Sequence, residues 1–247
     1  MSRKISGILS NTLIIGFLLI VCLSINANKY KAVIAKLPTS DNYVALLAAI
    51  GEETNNKFTT EILPMSRTVY LMEGGQADLQ CPQIIFTDPK KIADLKYDYS
   101  TPVIYKLGFV LYTNKKKPVT VAELKKGNPK NYIFETKVSH TVYFDFKCVG
   151  STNIEASLKK VDNGTIDGFI SAMTSSDKLL KQLKLTNVKR ELFDFFTNKF
   201  LIPKGAKGKE VDKILIDGFK KIKANGKYDK IMGDLVKVAE KYDDWQP

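Results

Sequence analysis

The stretch from Tyr30 to Ile85, YKAVIAKLPTSDNYVALLAAIGEETNNKFTTEILPMSRTVYLMEGGQADLQCPQII, decides the fold class. It opens with Tyr30 to Lys36, a short apolar run rich in β-branched residues that reads as a buried strand. Pro38-Thr39-Ser40-Asp41 breaks the run and offers capping side chains. Tyr43, Leu46, Leu47 and Ile50 recur at i, i+3, i+4 and i+7, so residues 41–53 form a helix with one apolar face. Phe58 to Leu63 reads as a second strand, stopped by Pro64. Ser66 to Glu73 is a short helix ended by Gly74-Gly75, and Ala77 to Ile85 is a third strand. The order β-α-β-α-β is that of a parallel sheet with helices on its faces, an α/β fold.

Downstream, residues 107–113 (LGFVLYT) form a long apolar strand, and Val121 to Lys126 a short helix. Tyr132 to Glu135 begins a second β/α set. Thr152-Asn153-Ile154-Glu155 has the spacing of a capping box, and Ile154, Leu158 and Val161 stripe the helix that follows. Asn163-Gly164 ends it, Ile166 to Ala172 is a strand, and Ser175 to Lys184 a helix. Leu192 to Ile202 reads as a long strand returning from the second set. Two helices close the chain. Val211, Ile214, Leu215, Phe219 and Ile222 stripe the first, and Tyr228, Ile231, Met232, Leu235 and Val238 the second, with Asn225-Gly226 between them.

Upstream, Arg3 and Lys4 precede the apolar run Leu13 to Leu23, and Ser24-Ile25-Asn26-Ala27 follows it. That charged, apolar, small-residue order is that of a secretory signal peptide, with cleavage expected after Ala27. The run is shorter than the roughly 20 residues of a bilayer span, which argues against an uncleaved anchor. Cys22 lacks the small preceding residue of a lipoprotein site. The chain is therefore expected to be exported to the periplasm and soluble there.

The net charge is +12, from 38 lysines and arginines against 26 acids. Arginine occurs only at Arg3, Arg67 and Arg190, and the lysines are interleaved with acids. This is the pattern of a solvated surface. Without a basic and aromatic recognition motif it excludes nucleic acid as the partner. Cys81, Cys148 and the single histidine, His140, lack metal-ligand spacing, so neither a metal nor a cofactor is expected. In an oxidising compartment the two cysteines can pair or remain buried thiols.

Several segments resemble, in order and spacing, the bacterial extracellular solute-binding proteins of family 3, which have the type 2 periplasmic-binding fold. Leu63-Pro64-Met65-Ser66-Arg67 with Gly74-Gly75-Gln76-Ala77-Asp78 resembles that family's proline, aromatic, arginine segment and its first G-x-x-D. Tyr99-Ser100-Thr101-Pro102-Val103 resembles the start of its crossover strand. Asn163-Gly164-Thr165-Ile166-Asp167-Gly168 is similar to its second G-x-x-D, and Asn225-Gly226-Lys227-Tyr228-Asp229-Lys230-Ile231 to its final block. Together the matches span residues 28–241.

The resemblance implies two α/β lobes, joined by two crossover strands, with the ligand cleft between them and hinge closure around the ligand. Lobe 1 would comprise residues 28–108 and 198–247, and lobe 2 residues 109–197. The cleft contacts it implies in lobe 1 are Met65, Arg67, Pro82, Gln83 and Lys90. Lys90 stands in Thr87-Asp88-Pro89-Lys90, the slot of a T-x-x-R motif that grips a ligand carboxylate, with Lys91 an equally basic neighbour. In lobe 2, Ser139 and His140 occupy the region of an anion-binding helix start, and Ser171 stands where the family carries an ammonium-binding acid.

These departures point away from an ordinary α-amino acid and toward a small anionic or carboxylate-bearing solute. The function implied is a monomeric periplasmic receptor that delivers its solute to an ABC-type permease, with a stand-alone sensory or accessory protein as the alternative. A non-enzymatic role is expected, since no paired carboxylate, activated serine or cysteine–histidine motif is evident. A disulfide between Cys81 and Cys148 would tie the lobes together, so both are expected to remain free.

Overall fold

A computed structural model describes residues 27–86, 88–127 and 130–247. The expected leader, with Arg3, Lys4, Cys22 and the run Leu13 to Leu23, lies outside the described residues, as does Thr87. The architecture is α/β, built on one curled sheet of eight strands. These are β1 (Asn28–Ala35), β2 (Asn56–Leu63), β3 (Leu79–Ile84), β4 (Tyr97–Asn114), β5 (Phe134–Lys137), β6 (Val149–Ser151), β7 (Gly168–Ala172) and β8 (Val188–Pro203), in the order β2-β1-β3-β8-β4-β7-β5-β6.

Each end of the sheet is a parallel triplet: β2, β1 and β3 on one side, β7, β5 and β6 on the other. Between them β4 and β8 run antiparallel to each other and to their outer neighbours. β1 is buried continuously from Ala32 to Ala35 rather than alternately, as expected of a strand covered on both faces. Helix α1 (Ser40–Thr54), with α7 (Ala206–Ala224) and α8 (Lys227–Glu240), supplies Leu46, Leu47, Ile50, Leu215 and Met232 to the core on one face. Helix α2 (Met65–Glu73) covers the other face with Leu71 and Met72. On the second half, α4 (Val121–Leu124) lies over Phe109, Phe134 and Ile170, and α5 (Ile154–Asp162) and α6 (Met173–Leu183) over Tyr112 and Phe169.

Three local readings change. The crossover strand starts at Tyr97 rather than at residue 107, and the returning strand starts at Val188 rather than Leu192. The early part of β4 carries Pro102 and register shifts between Tyr99 and Tyr105, so its apolar period is broken although it stays in the sheet. The capping box is not at Thr152: Asn153 caps α5, its side chain accepting from Ala156 N at 3.0 Å, while Glu155 pairs with Lys159. A complete capping box stands instead at Thr120–Glu123, starting α4. Two further short elements were not read from sequence, β6 and α3 (Pro89–Ala93), the latter capped by Asp88 with proline at its first turn.

A strap of residues 241–247 leaves α8 and docks on the second half. Its anchor is Arg190, whose side chain is fully buried. Arg190 Nε and Nη2 donate to the Asp177 carboxylate at 2.8 and 2.5 Å, and Nη1 donates to the carbonyls of Trp245 (2.5 Å) and Asp243 (3.2 Å). The guanidinium lies 4.3 Å from the Trp245 ring centre, and Tyr112 donates to Asp177 at 2.7 Å. The backbone of Arg190 exchanges two hydrogen bonds with the Gln246 side chain. Arg190→Ala would leave Asp177 without its cation in a mostly buried place. The expected cost is about 3 kcal/mol of stability, read as a lower urea midpoint. Arg190→Lys should recover only part of it, because an ammonium cannot reproduce the fork.

Candidate functional site

The topology fixes where a ligand cleft can lie. β3 runs toward the middle of β8, since Gln80 pairs with Leu201 and Ile84 with Asn198. β7 runs toward the middle of β4, since Gly168 pairs with Thr113 and Ala172 with Phe109. β1 and β2 share the direction of β3, and β5 that of β7. The carboxyl ends of both parallel triplets therefore converge on the midpoint of the β4–β8 pair, where side chains after each strand face one another.

The two halves touch there. Residues Val138–Tyr143 form a 3-10 turn directly after β5, in place of a long helix. Tyr143, at its end, donates to the Ile84 carbonyl at 2.9 Å and bonds the Gln83 amide, while its ring stacks on Phe86 at 4.6 Å. Lys91 reaches from α3 to the Val142 carbonyl (3.2 Å) and to Asp145 (3.3 Å). Burial, with Tyr99 nearby, pushes the Tyr143 phenol up, so it serves as a neutral donor.

The candidate contacts fall into three sets. Gln83 is buried at the end of β3 and meets Tyr143, whose ring centre is 6.3 Å from that of His140. Met65, at the start of α2, lies with Gln80 and Pro82: Gln80 Nε2 is 3.8 Å from the Met65 sulfur and donates to the Pro82 carbonyl at 3.1 Å. The remaining candidates stand apart. Arg67 is exposed and rests on Tyr70, Lys90 is exposed on α3, Ser139 is half-buried on the 3-10 turn, and Ser171 is buried within β7. Of the two adjacent lysines, it is Lys91 that spans to the other half.

Sequence reading missed Tyr143 and Phe86, and it placed Lys91 only as a basic neighbour of Lys90. The available signal was the cluster Tyr143, Phe144 and Phe146 in a segment too short for the expected helix.

The polar inventory of this region is unusual for a protein interior. Oε1 of both Gln80 and Gln83, Nδ1 of His140 and Nδ2 of Asn198 are buried without hydrogen-bond partners among the described residues. Such groups are costly unless something meets them. Cys81 and Cys148 are both free, and burial pushes the Cys148 thiol up to about 12 and Cys81 higher still, so neither is a poised nucleophile. Among the described residues no group of three His, Cys, Asp or Glu side chains is placed to hold a metal ion.

No family model matches the chain, and no curated protein matches it closely in sequence. Solved structures do match its fold. A histidine kinase sensor domain with similarity to periplasmic binding proteins aligns over 87% of this chain and 98% of its own, at 12% identity and a TM-score of 0.65. The substrate-binding protein of an amino acid ABC transporter covers 84% and 98%, at 14% identity and 0.58. The GluR0 ligand-binding core from Nostoc punctiforme, in complex with L-glutamate, covers 83% and 98%, at 11% identity and 0.60.

His140 supplies a pH test of this region. Desolvation, helped by Lys137, lowers its pKa to about 3 in the folded chain, against 6.5 ordinarily. Between those limits the unfolded chain binds the extra proton, so stability falls as pH is lowered through that window. The expected loss from this residue between pH 7 and pH 5 is about 2 kcal/mol. It is measured as the difference in urea unfolding between wild type and His140→Gln, and equal pH dependence of the two would show that the folded ring protonates freely.

Proposed function

We propose that this chain, whose fold is that of the two-lobed periplasmic-binding proteins, is an exported receptor that captures a small solute between its halves and presents it to a membrane partner. The observation that carries this reading is the convergence of both parallel triplets on one interface, where Gln83, Tyr143 and His140 bring buried polar atoms together. The lobes are assigned as residues 28–108 with 198–247, and 109–197. Among the described residues no helix is long and apolar enough to cross a membrane, in keeping with a receptor that works outside the bilayer. Binding rather than catalysis is the role assigned, and most of the structural neighbours are themselves binding proteins.

The solute we assign is carboxylate-bearing. What supports this is the cationic supply on the first half: Arg67 rests on the Tyr70 ring rather than on an acid, and Lys90 is exposed on α3 beyond the end of β3, while Lys91 is already paired with Asp145. Delivery to a permease is the first reading of the partner. A sensory role is the second, favoured by the likeness to a kinase sensor domain.

Native mass spectrometry of protein purified without refolding should show a bound small molecule. Calorimetry with that molecule should then give affinities weakened about tenfold or more in Arg67→Ala and in Lys90→Ala, which corresponds to 1.4 kcal/mol each. If both variants bind as wild type does, with the same salt dependence, the carboxylate assignment fails and the fold alone stands. Loss of solute uptake in cells lacking the gene separates transport from sensing.

A further inference from the structure

Beside the cleft lies a second concavity, of about 430 Å³, that shares none of the candidate contacts Met65, Arg67, Gln83 or Lys90. Its walls are Leu124, Phe144, Phe146, Phe193 and Phe196, closed at the hinge by Tyr143. We propose that it is a binding site for an uncharged planar aromatic solute of one or two rings. The volume falls within the range of small-molecule pockets, roughly 300–1,000 Å³.

The lining chemistry specifies the guest. Phe144 and Phe146 stand nearly edge-on to Phe193, at 5.4 and 6.2 Å and interplanar angles of 76° and 68°. Phe193 and Phe196 are parallel within 7°. Phe144 and Phe193 are largely buried by these mutual contacts, and the half-buried Phe146 and Phe196 leave ring surface to the concavity, which suits the quadrupole of another aromatic ring. At the rim Lys125 pairs with Asp194 at 3.2 Å and Asp145 with Lys91 at 3.3 Å, so each charge at the mouth already has a partner.

The site is also tied to the state of the hinge. Ile85 follows β3 in the first half and Thr197 lies in β8, one of the two strands that run between the halves, and Ile85 N donates to the Thr197 carbonyl at 3.0 Å. Tyr143 comes from the second half and is held against Ile84 by its phenol. Of the lining only Ile85 comes from the first half, and the Tyr143–Ile84 bond holds that wall against the rest. A guest therefore stabilises the bridged state by its differential affinity for it. This site does not depend on the solute reading of the cleft.

The test uses indole as the probe, with the full chain, followed by saturation-transfer NMR and calorimetry. Saturable binding of one equivalent is expected at micromolar to millimolar concentration. Phe146→Ala, or Phe146→Leu if the alanine variant does not fold, should weaken it about tenfold and about threefold respectively. Tyr143→Phe, which keeps the ring and removes the bonds to Ile84 and Gln83, should also weaken it, and cyclohexanol should not compete. Absence of saturable binding, equal binding by wild type and the Phe146 variants, or full competition by cyclohexanol overturns the aromatic site. Unchanged affinity in Tyr143→Phe overturns its link to the hinge.

Discussion

The antiparallel pairing of β4 with β8 is the interaction on which the rest of this molecule depends. It runs from Tyr97 opposite Pro203 to Asn114 opposite Val188, and it is the seam through which each parallel triplet joins the other. The inner edge of each parallel triplet is covered by an antiparallel neighbour, β8 for β3 and β4 for β7. Because β3 and β7 attach to opposite ends of that seam, their directions are opposed and their carboxyl ends meet. The cleft follows from strand order before any side chain is considered. The side chains then decide what the cleft holds, and here the second half fills part of it with its own Tyr143.

Much of the fold was legible because burial wrote a period into the sequence. α1 shows an apolar stripe at helical spacing, and β1 is apolar throughout because both its faces are covered. What could not be read depends on partners far away in the chain. The first half of β4 carries Thr101 and Pro102 and is held in place by β8, a hundred residues later, and by Asp212, which accepts from the Thr101 backbone and hydroxyl at 2.6 Å. Arg190 offered no local clue at all, since a buried guanidinium contradicts the usual exposure of arginine and needs Asp177 and Trp245 to become tolerable.

The site was legible to a different degree. Position in the chain marked the end of β3 and the segment after β5, and the structure joins those two places through Gln83 and Tyr143. The short interval between Tyr132 and Cys148 already leaves little room for a long helix, but it did not reveal that aromatic side chains would make the contact in its place. A helix start would have aimed several backbone N–H groups at the cleft, whereas the 3-10 turn that ends at Tyr143 brings one phenol and one ring there. The segment after β5 consequently presents more ring surface and fewer backbone donors than a helix start would.

The strap has a consequence for how the molecule is assembled. The most buried charge of residues 109–197, Arg190, is completed from outside that segment. The carbonyls that accept from Arg190, and the Gln246 amide that pairs with its backbone, lie 53 to 56 residues further along the chain. A nascent or threading polypeptide whose first 200 residues had emerged would carry Arg190 and Asp177 with the indole of Trp245 still missing above them. The interior around Arg190 is therefore closed only by the segment that follows α8, and a chain cut before residue 241 would lack both the acceptor carbonyls and the indole that cover the guanidinium.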